Sequence, residues 1–269
     1  MSRRNAPSAE SHVAVGDATR ELALPFGKAR LAVADPPYNN GSAYDAAIDD
    51  NKSYDAYMEW TRSWLTQVMA ATTDDASVWV FIPDEWVSEL DMMMRKDFRL
   101  HKRRHVVWTF TFGVACAKNF ARSHCHILYM TKKKTRFVFN ADAIRVPSAR
   151  QLRYADKRAN PAGKLPDATW MLLQEQLAPC LGGDGDTWLE SRVCGTFKQR
   201  VSVSPNQIPV PLLQRIVRAC SDPGDVVMDP FLGTGSTGVA AAIEKRKFCG
   251  YDLSQACVDV ARQRILKEV

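Results

Sequence analysis

The chain has 269 residues, 46% of them hydrophobic and 25% charged, with a net charge of +6. These values exclude wholesale disorder and allow one large domain, or a domain carrying a sizeable insertion. The mild basic excess suits a polyanionic partner without requiring one. Seven cysteines stand at positions 116, 125, 180, 194, 220, 249 and 257, with no C-x-x-C pair. An odd count excludes a complete disulfide framework within one chain, so reduced and mostly buried thiols in a cytoplasmic protein are expected. No apolar run approaches the length of a transmembrane helix.

Residues 1–11 are polar and carry Arg3 and Arg4 with no apolar stretch behind them. They read as a flexible start rather than a secretory signal. Residues 12–15 and 31–34 follow as short apolar strands, the second stopping at Asp35-Pro36-Pro37. Apolar residues at helical spacing over 54–71, including Tyr57, Met58, Trp64, Leu65 and Val68, predict a helix. Strands are predicted over 77–82 (SVWVFI), 105–112, 125–130, 225–228 and 247–251. Helices are predicted over 85–95, 211–220, 237–244 and 255–267. Strands alternating with helices imply an α/β fold with a mainly parallel sheet. Trp60, Trp64, Trp79, Trp86 and Trp108 sit at core-compatible spacings and read as packing residues.

Residues 132–200 break the alternation. They are rich in Gly, Pro and basic residues, opening with Lys132, Lys133, Lys134 and Arg136 and continuing through Arg145, Arg150, Arg153, Lys157, Arg158 and Lys164. The segment reads as an insertion on a core formed by residues 12–131 and 201–269. A solvated basic face is the plain alternative to a binding role.

Near the far end of the chain, a strand running into Asp229-Pro230-Phe231-Leu232 is followed by Gly233-Thr234-Gly235-Ser236-Thr237-Gly238 and an Ala-rich helix. Glycines permit a tight turn and close backbone approach, and the helix N-terminus offers unpaired N–H groups. Asp252 ends the next strand, where an acid holds ribose hydroxyls, and Leu253 follows it. A nucleotide-type cofactor is expected here. The pattern alone suits NAD, FAD and S-adenosylmethionine. A carboxylate (Asp229) and an aromatic (Phe231) at the mouth favour an ammonium-bearing ligand over a pyrophosphate.

Residues 35–39 read Asp-Pro-Pro-Tyr-Asn. The two prolines fix φ and remove two backbone donors, leaving the Pro36 and Pro37 carbonyls to accept hydrogen bonds. Asp35 adds a side-chain acceptor and Tyr38 a stacking face. Such a set suits methyl transfer to an exocyclic amino group: acceptors on its two hydrogens draw the lone pair out of the ring, and an aromatic holds the extruded base.

At this point the sequence resembles the DNA amino-methyltransferases, the N6-adenine and N4-cytosine enzymes, and more narrowly their β class, in which DPPY precedes the glycine motif. Asp35, Pro36, Pro37 and Tyr38 match the family's catalytic motif. Asp229 to Thr237 match its cofactor motif. Gly16-Asp17-Ala18 match a feature that approaches the cofactor adenine, and residues 192–200 (RVCGTFKQR) are also similar. The resemblance implies S-adenosylmethionine as methyl donor, held by Asp17, Ala18, Asp35, Asp229, Phe231, Gly233, Gly235, Ser236, Thr237, Asp252 and Leu253. It implies no metal and a double-stranded DNA substrate.

The fold implied is a circularly permuted Rossmann-like methyltransferase fold, a mainly parallel sheet with one antiparallel strand pair, the insertion serving as the target-recognition region. The strands before DPPY and before the glycine turn would then be neighbours at the switch point. The resemblance is compatible with a homodimer, with a cognate restriction endonuclease as a separate protein, and with a bacterial or phage source. Family members with H-P-T-Q-K-P before the helix preceding the cofactor strand depart from this chain, which has Ser204-Pro205-Asn206-Gln207-Ile208-Pro209. N4-cytosine members usually carry Ser where Asp35 stands, so adenine N6 is favoured. Cytosine N4, an RNA or protein amide acceptor, an NAD-type oxidoreductase and an inactive DNA-binding module are the alternatives. His124-Cys125-His126 does not read as a metal site, because on a strand the histidines share one face and the cysteine takes the other.

Overall fold

The computed structural model describes residues 10–41, 49–110, 117–152, 154–170 and 207–268. Eight strands form one sheet: β1 (Ser11–Val15), β2 (Ala29–Ala34), β3 (Thr72–Ile82), β4 (His101–Thr109), β5 (His124–Thr131), β6 (Thr169–Trp170), β7 (Val226–Asp229) and β8 (Lys247–Asp252), in the order β1-β8-β7-β2-β3-β5-β4-β6. The helices are α1 (Tyr54–Ala71), α2 (Val87–Lys96), α3 (Ala149–Leu152), α4 (Val210–Cys220), α5 (Ser236–Ile243) and α6 (Gln255–Leu266), with a 3-10 turn at Ala141–Ile144. The antiparallel part of the sheet is carried by one strand, β5, which runs against both β3 and β4; every other pairing is parallel.

Side-chain alternation along the strands builds two cores, one on each face of the sheet. Leu31 and Val33 of β2, Trp79 and Phe81 of β3, and Ile127 and Tyr129 of β5 pack beneath α4, α5 and α6. Ala32 and Ala34, Val78, Val80 and Ile82, and Leu128 and Met130 face the other way, with Trp64, Leu65 and Val68 of α1 and Leu90, Met93 and Met94 of α2. Helix α1 starts where the Ser53 hydroxyl accepts from the Ala56 amide at 3.3 Å, and its buried stripe runs Tyr57, Thr61, Trp64, Leu65, Val68, Ala71.

The permuted order expected from the motifs is present. β2 and β7 lie side by side, Ala32 opposite Met228, and β1 joins β8 with Val15 opposite Asp252. The start of the chain is ordered one residue earlier than its polar composition suggested. Ser11 is the first residue of β1, and the Glu10 carbonyl accepts from the Phe248 amide at 2.9 Å.

The opening basic run of the insertion lies away from the ligand edge. Because β5 is antiparallel, its C-terminal end sits beside the N-terminal end of β3, with Thr131 opposite Ser77. There the Lys132 ammonium donates to the carbonyls of Met69 (2.6 Å) and Thr72 (2.9 Å). Further along, Arg145 pairs with Asp142, Arg150 and Arg158 both pair with Asp156, and Lys164 pairs with Asp167. The chain returns towards the ligand edge as β6, whose two residues pair with Val107 and Trp108. Residues 192–200 lie outside the described residues.

Candidate active site

Parallel strands deliver their C-terminal ends to one edge, and open α/β sheets bind ligands there, at the switch point of strand order. Asp35 follows β2, Asp229 ends β7, Asp252 ends β8 and Asp17 follows β1. The last two are tied together by the Gly16 amide donating to the Asp252 carbonyl at 3.0 Å. Motifs nearly at opposite ends of the chain therefore open into one crevice.

The glycine turn is held from three sides. Gly233 and Gly235 have φ of 49° and 79°, the left-handed region that favours glycine. Gly235 caps α5 with no side chain on the helix's leading amides, leaving them for a ligand. The Asp252 carboxylate accepts from the amides of Gly233 (2.8 Å) and Ser254 (2.9 Å), so it fastens the turn as well as facing the crevice. Asp229 accepts from the Thr237 hydroxyl (2.6 Å) and the Phe231 amide (3.0 Å). Ser236 is buried, its hydroxyl 3.4 Å from Arg264 of α6, which also donates to the Thr234 hydroxyl at 2.8 Å. Phe231 is half-buried and meets Trp64 edge-on at 5.3 Å. Asp17 accepts from the Thr19 amide and hydroxyl, Ala18 is buried, and Leu253 is exposed.

The DPPY segment is built more tightly than its sequence shows. The Tyr38 hydroxyl donates to Asp35 Oδ1 at 2.7 Å and lies 3.6 Å from the Cys125 thiol. The Pro37 carbonyl, expected to face substrate, instead accepts from the Tyr57 hydroxyl of α1 at 3.0 Å. The Tyr38 carbonyl accepts from the Trp86 indole at 2.9 Å. No donor to the Pro36 carbonyl is found among the described residues. Beyond it, Asn39 adopts φ of 54°, and the Asp50 carboxylate takes the amides of Asn39 (2.6 Å) and Asn40 (3.2 Å). Tyr57, Trp86, Asp50, Cys125 and Arg264 are positioning residues that motif reading passed over. Tyr57 and Trp86 carried only a packing signal, since helical spacing reveals burial and not a hydrogen bond at the far end of the ring.

Burial pushes the Asp35 carboxyl up to about 7; the Tyr38 hydrogen bond offsets part of this, and the negative charge of Asp229 adds to it. Burial likewise pushes Asp229 up to about 7 against its bonds from Thr237 and Phe231, with Asp252 adding to the rise. Three carboxylates at one edge of the sheet, Asp229 buried and Asp35 and Asp252 half-buried, each raise the cost of ionising a neighbour and favour a cationic ligand. This fits S-adenosylmethionine, whose sulfonium and ammonium are positive. The turn and the α5 N-terminus fit its nucleoside and carboxylate parts.

His124 and His126 do share a face, while Cys125 turns to Tyr38 on the other. The structure adds Asp84 to the two histidines, their ligand atoms all within 4.8 Å of one another, with the Arg122 guanidinium 3.6 Å from Asp84.

A family model described as DNA methylase matches residues 29–263 of the chain. The chain belongs to this DNA methylase family. The methylase is 30% identical over 254 residues to the DNA adenine methyltransferase YhdJ of Escherichia coli (strain K12), covering 93% of this chain and 81% of that protein. It is 27% identical over 238 residues to the Type II methyltransferase M.HpaI of Haemophilus parainfluenzae, covering 88% and 68%. In fold it is similar to the PvuII DNA methyltransferase (cytosine-N4-specific), with a TM-score of 0.62 at 14% identity over 96% and 86% of the two chains. It is also similar to the putative DNA modification methylase TTHA0409 of Thermus thermophilus complexed with S-adenosyl-L-methionine, with a TM-score of 0.56 at 21% identity over 97% and 94%. The protein is an S-adenosylmethionine-dependent DNA methyltransferase. Among the described residues no helix is long and apolar enough to cross a membrane.

Proposed function

We propose that this methylase modifies N6 of adenine in double-stranded DNA, on a base turned out of the duplex. The observation that carries this reading is the Asp35 carboxylate, held on Oδ1 by Tyr38 and half-buried at the edge shared with Asp229. The resemblance assigns Ser to most N4-cytosine enzymes at this position, and YhdJ is named an adenine methyltransferase. The likeness in fold to a cytosine-N4-specific enzyme keeps cytosine N4 as the second reading. The relatives named Type II methyltransferases support a restriction endonuclease as a separate partner protein. A homodimer is part of the same reading.

When bound, S-adenosylmethionine supplies an electrophilic methyl group. Asp229, Phe231, the glycine turn and Asp252 would hold the donor, and Asp17 and Ala18 would approach its adenine. The Pro36 carbonyl and the second oxygen of Asp35 accept the two amino hydrogens. This draws the nitrogen lone pair out of conjugation and towards the methyl, by position and preorganised charge rather than a covalent enzyme adduct. The methylated nitrogen must lose one proton, and Asp35, with a value near 7, takes it. The Tyr38 ring, fixed at its hydroxyl, stacks on the base.

Methylation of unmodified DNA with labelled donor, followed by nucleoside analysis, tests the reading. Label is expected in N6-methyladenine; label confined to N4-methylcytosine would replace the adenine assignment. The pH profile gives a second test. Asp35 works ionised, and so does Asp229 towards a cationic donor. kcat/KM should therefore fall as pH drops below about 7, and saturating S-adenosylmethionine should move that limb to lower pH, because the bound cation favours the ionised carboxylates. A profile flat from about pH 8 to about pH 5.5 would remove Asp35 as proton acceptor.

A further inference from the structure

We propose that Phe120 is the wedge that enters the duplex when the target base leaves it. This rests on the base-flipping reading above. Asp35 is half-buried at the sheet edge, where a base still stacked in a duplex cannot bring its amino group to it, and the stack left behind must be closed by something apolar. The described part of the β4–β5 connection, residues 117–123, stands at the right edge of the sheet. Its end is pinned where β5 begins: the Phe110 amide donates to the Ser123 carbonyl at 2.8 Å, and Arg122 pairs with both Asp84 and Glu85 at the end of β3. The next residue in the chain beyond Glu85, Trp86, holds the Tyr38 carbonyl, and Cys125 touches the Tyr38 hydroxyl. The connection is thus braced directly on the catalytic segment.

Within this stretch, Phe120 is 96% exposed, more than any other large apolar side chain among the described residues. Tyr54, another exposed aromatic of this region, already rests on Trp86 at 5.7 Å. The Asn119 side chain accepts from the Phe120 amide at 2.8 Å, which fixes the backbone beneath the ring. Lys118, two residues before it in sequence, is a cation placed for a phosphate beside an opened step, while Arg122 is held by Asp84 and Glu85. An isolated exposed Phe is ordinary on a protein surface. One left almost wholly exposed, its amide held by the Asn119 side chain, two residues from Lys118 and four from β5, has the make-up of an intercalating side chain.

The test compares wild type and Phe120→Ala on two duplexes carrying the site found by nucleoside analysis. One has the normal target pair, and the other has the target base opposite an abasic position, where the stack is already broken. Phe120→Ala should lose roughly 10- to 100-fold in kcat/KM on the normal duplex. It should come within about threefold of wild type on the abasic one, with S-adenosylmethionine affinity unchanged and Phe120→Trp retaining most activity. Equal activity of Phe120→Ala and wild type on the normal duplex, or an equal loss on both duplexes, would overturn the wedge and leave the function standing. Wild-type protein that places no label in any DNA in the nucleoside analysis would overturn the reading of function and the wedge with it.

Discussion

Asp35→Ala is expected to lower methyl transfer by about 10³-fold while S-adenosylmethionine binding changes by only a few-fold. In the proposed mechanism the carboxylate has two tasks, accepting an amino hydrogen and taking the proton the nitrogen sheds. Its removal also frees Asp229 from a like-charged neighbour, so the attraction for a cationic donor has a compensating gain. Asp35→Asn separates the tasks: it keeps an acceptor oxygen and the Tyr38 contact but cannot take a proton, and an intermediate loss is expected. Calorimetry with S-adenosylmethionine and single-turnover methylation of duplex DNA measure the two effects independently. An Asp35→Ala protein that binds donor and keeps more than about a tenth of wild-type turnover would show that another group carries the chemistry.

Gly235→Ala is expected to damage both stability and donor binding. A Cβ at Gly235 would lie 2.6 Å from the Ala261 Cβ and 2.9 Å from the Ala261 Cα, on backbone with φ of 79°. The left-handed conformation costs roughly 1–2 kcal/mol for an L side chain. Overpacking against α6 adds roughly 1–3 kcal/mol. The turn can relieve the overlap only by moving α5 away from α6, which displaces the amides of the turn. Gly224→Ala is the matched control: its φ is 89°, and a Cβ there meets nothing within 4 Å. Thermal unfolding should therefore show a drop of roughly 5–15 °C for Gly235→Ala and a smaller one for Gly224→Ala. Only the first should lose S-adenosylmethionine affinity. Equal drops with donor binding intact in both would mean that the contact with Ala261 is immaterial to the site.

The elements of the sheet were legible because their signals are local. Strand β2 and helix α1 announce themselves through apolar runs and helical spacing, and both termini of α1 coincide with the periodic stretch. The two motifs were legible for a different reason: a tight turn needs glycine and a stiff acceptor segment needs proline, whatever surrounds them. Tyr57 and Trp86 show where that legibility stops. Each looks like core, and each is largely core, yet its polar end reaches a carbonyl of the DPPY segment. No spacing rule encodes a hydrogen bond to a residue 20 or 48 positions away.

The basic insertion shows the same limit at larger scale. Its opening lysines read as a DNA-binding run, but β5 carries them to the edge opposite the active site, where Lys132 serves carbonyls at the end of α1 and the start of β3. Strand direction is a property of the sheet, so composition cannot report it. Four of the following cations meet acids from within the same segment, a pairing that depends on how the chain turns back on itself.

The sequence by itself determined the permuted α/β order, the two motifs and the class of chemistry, because each rests on residue types that local backbone geometry demands. The tertiary structure alone decided that Asp35 and Asp229 come to one edge of the sheet, that the Pro37 carbonyl is taken by the Tyr57 hydroxyl, and that the lysine run begins at the opposite end of β5. Those outcomes depend on which strand ends are brought together and in which direction each strand runs, and long-range packing sets both.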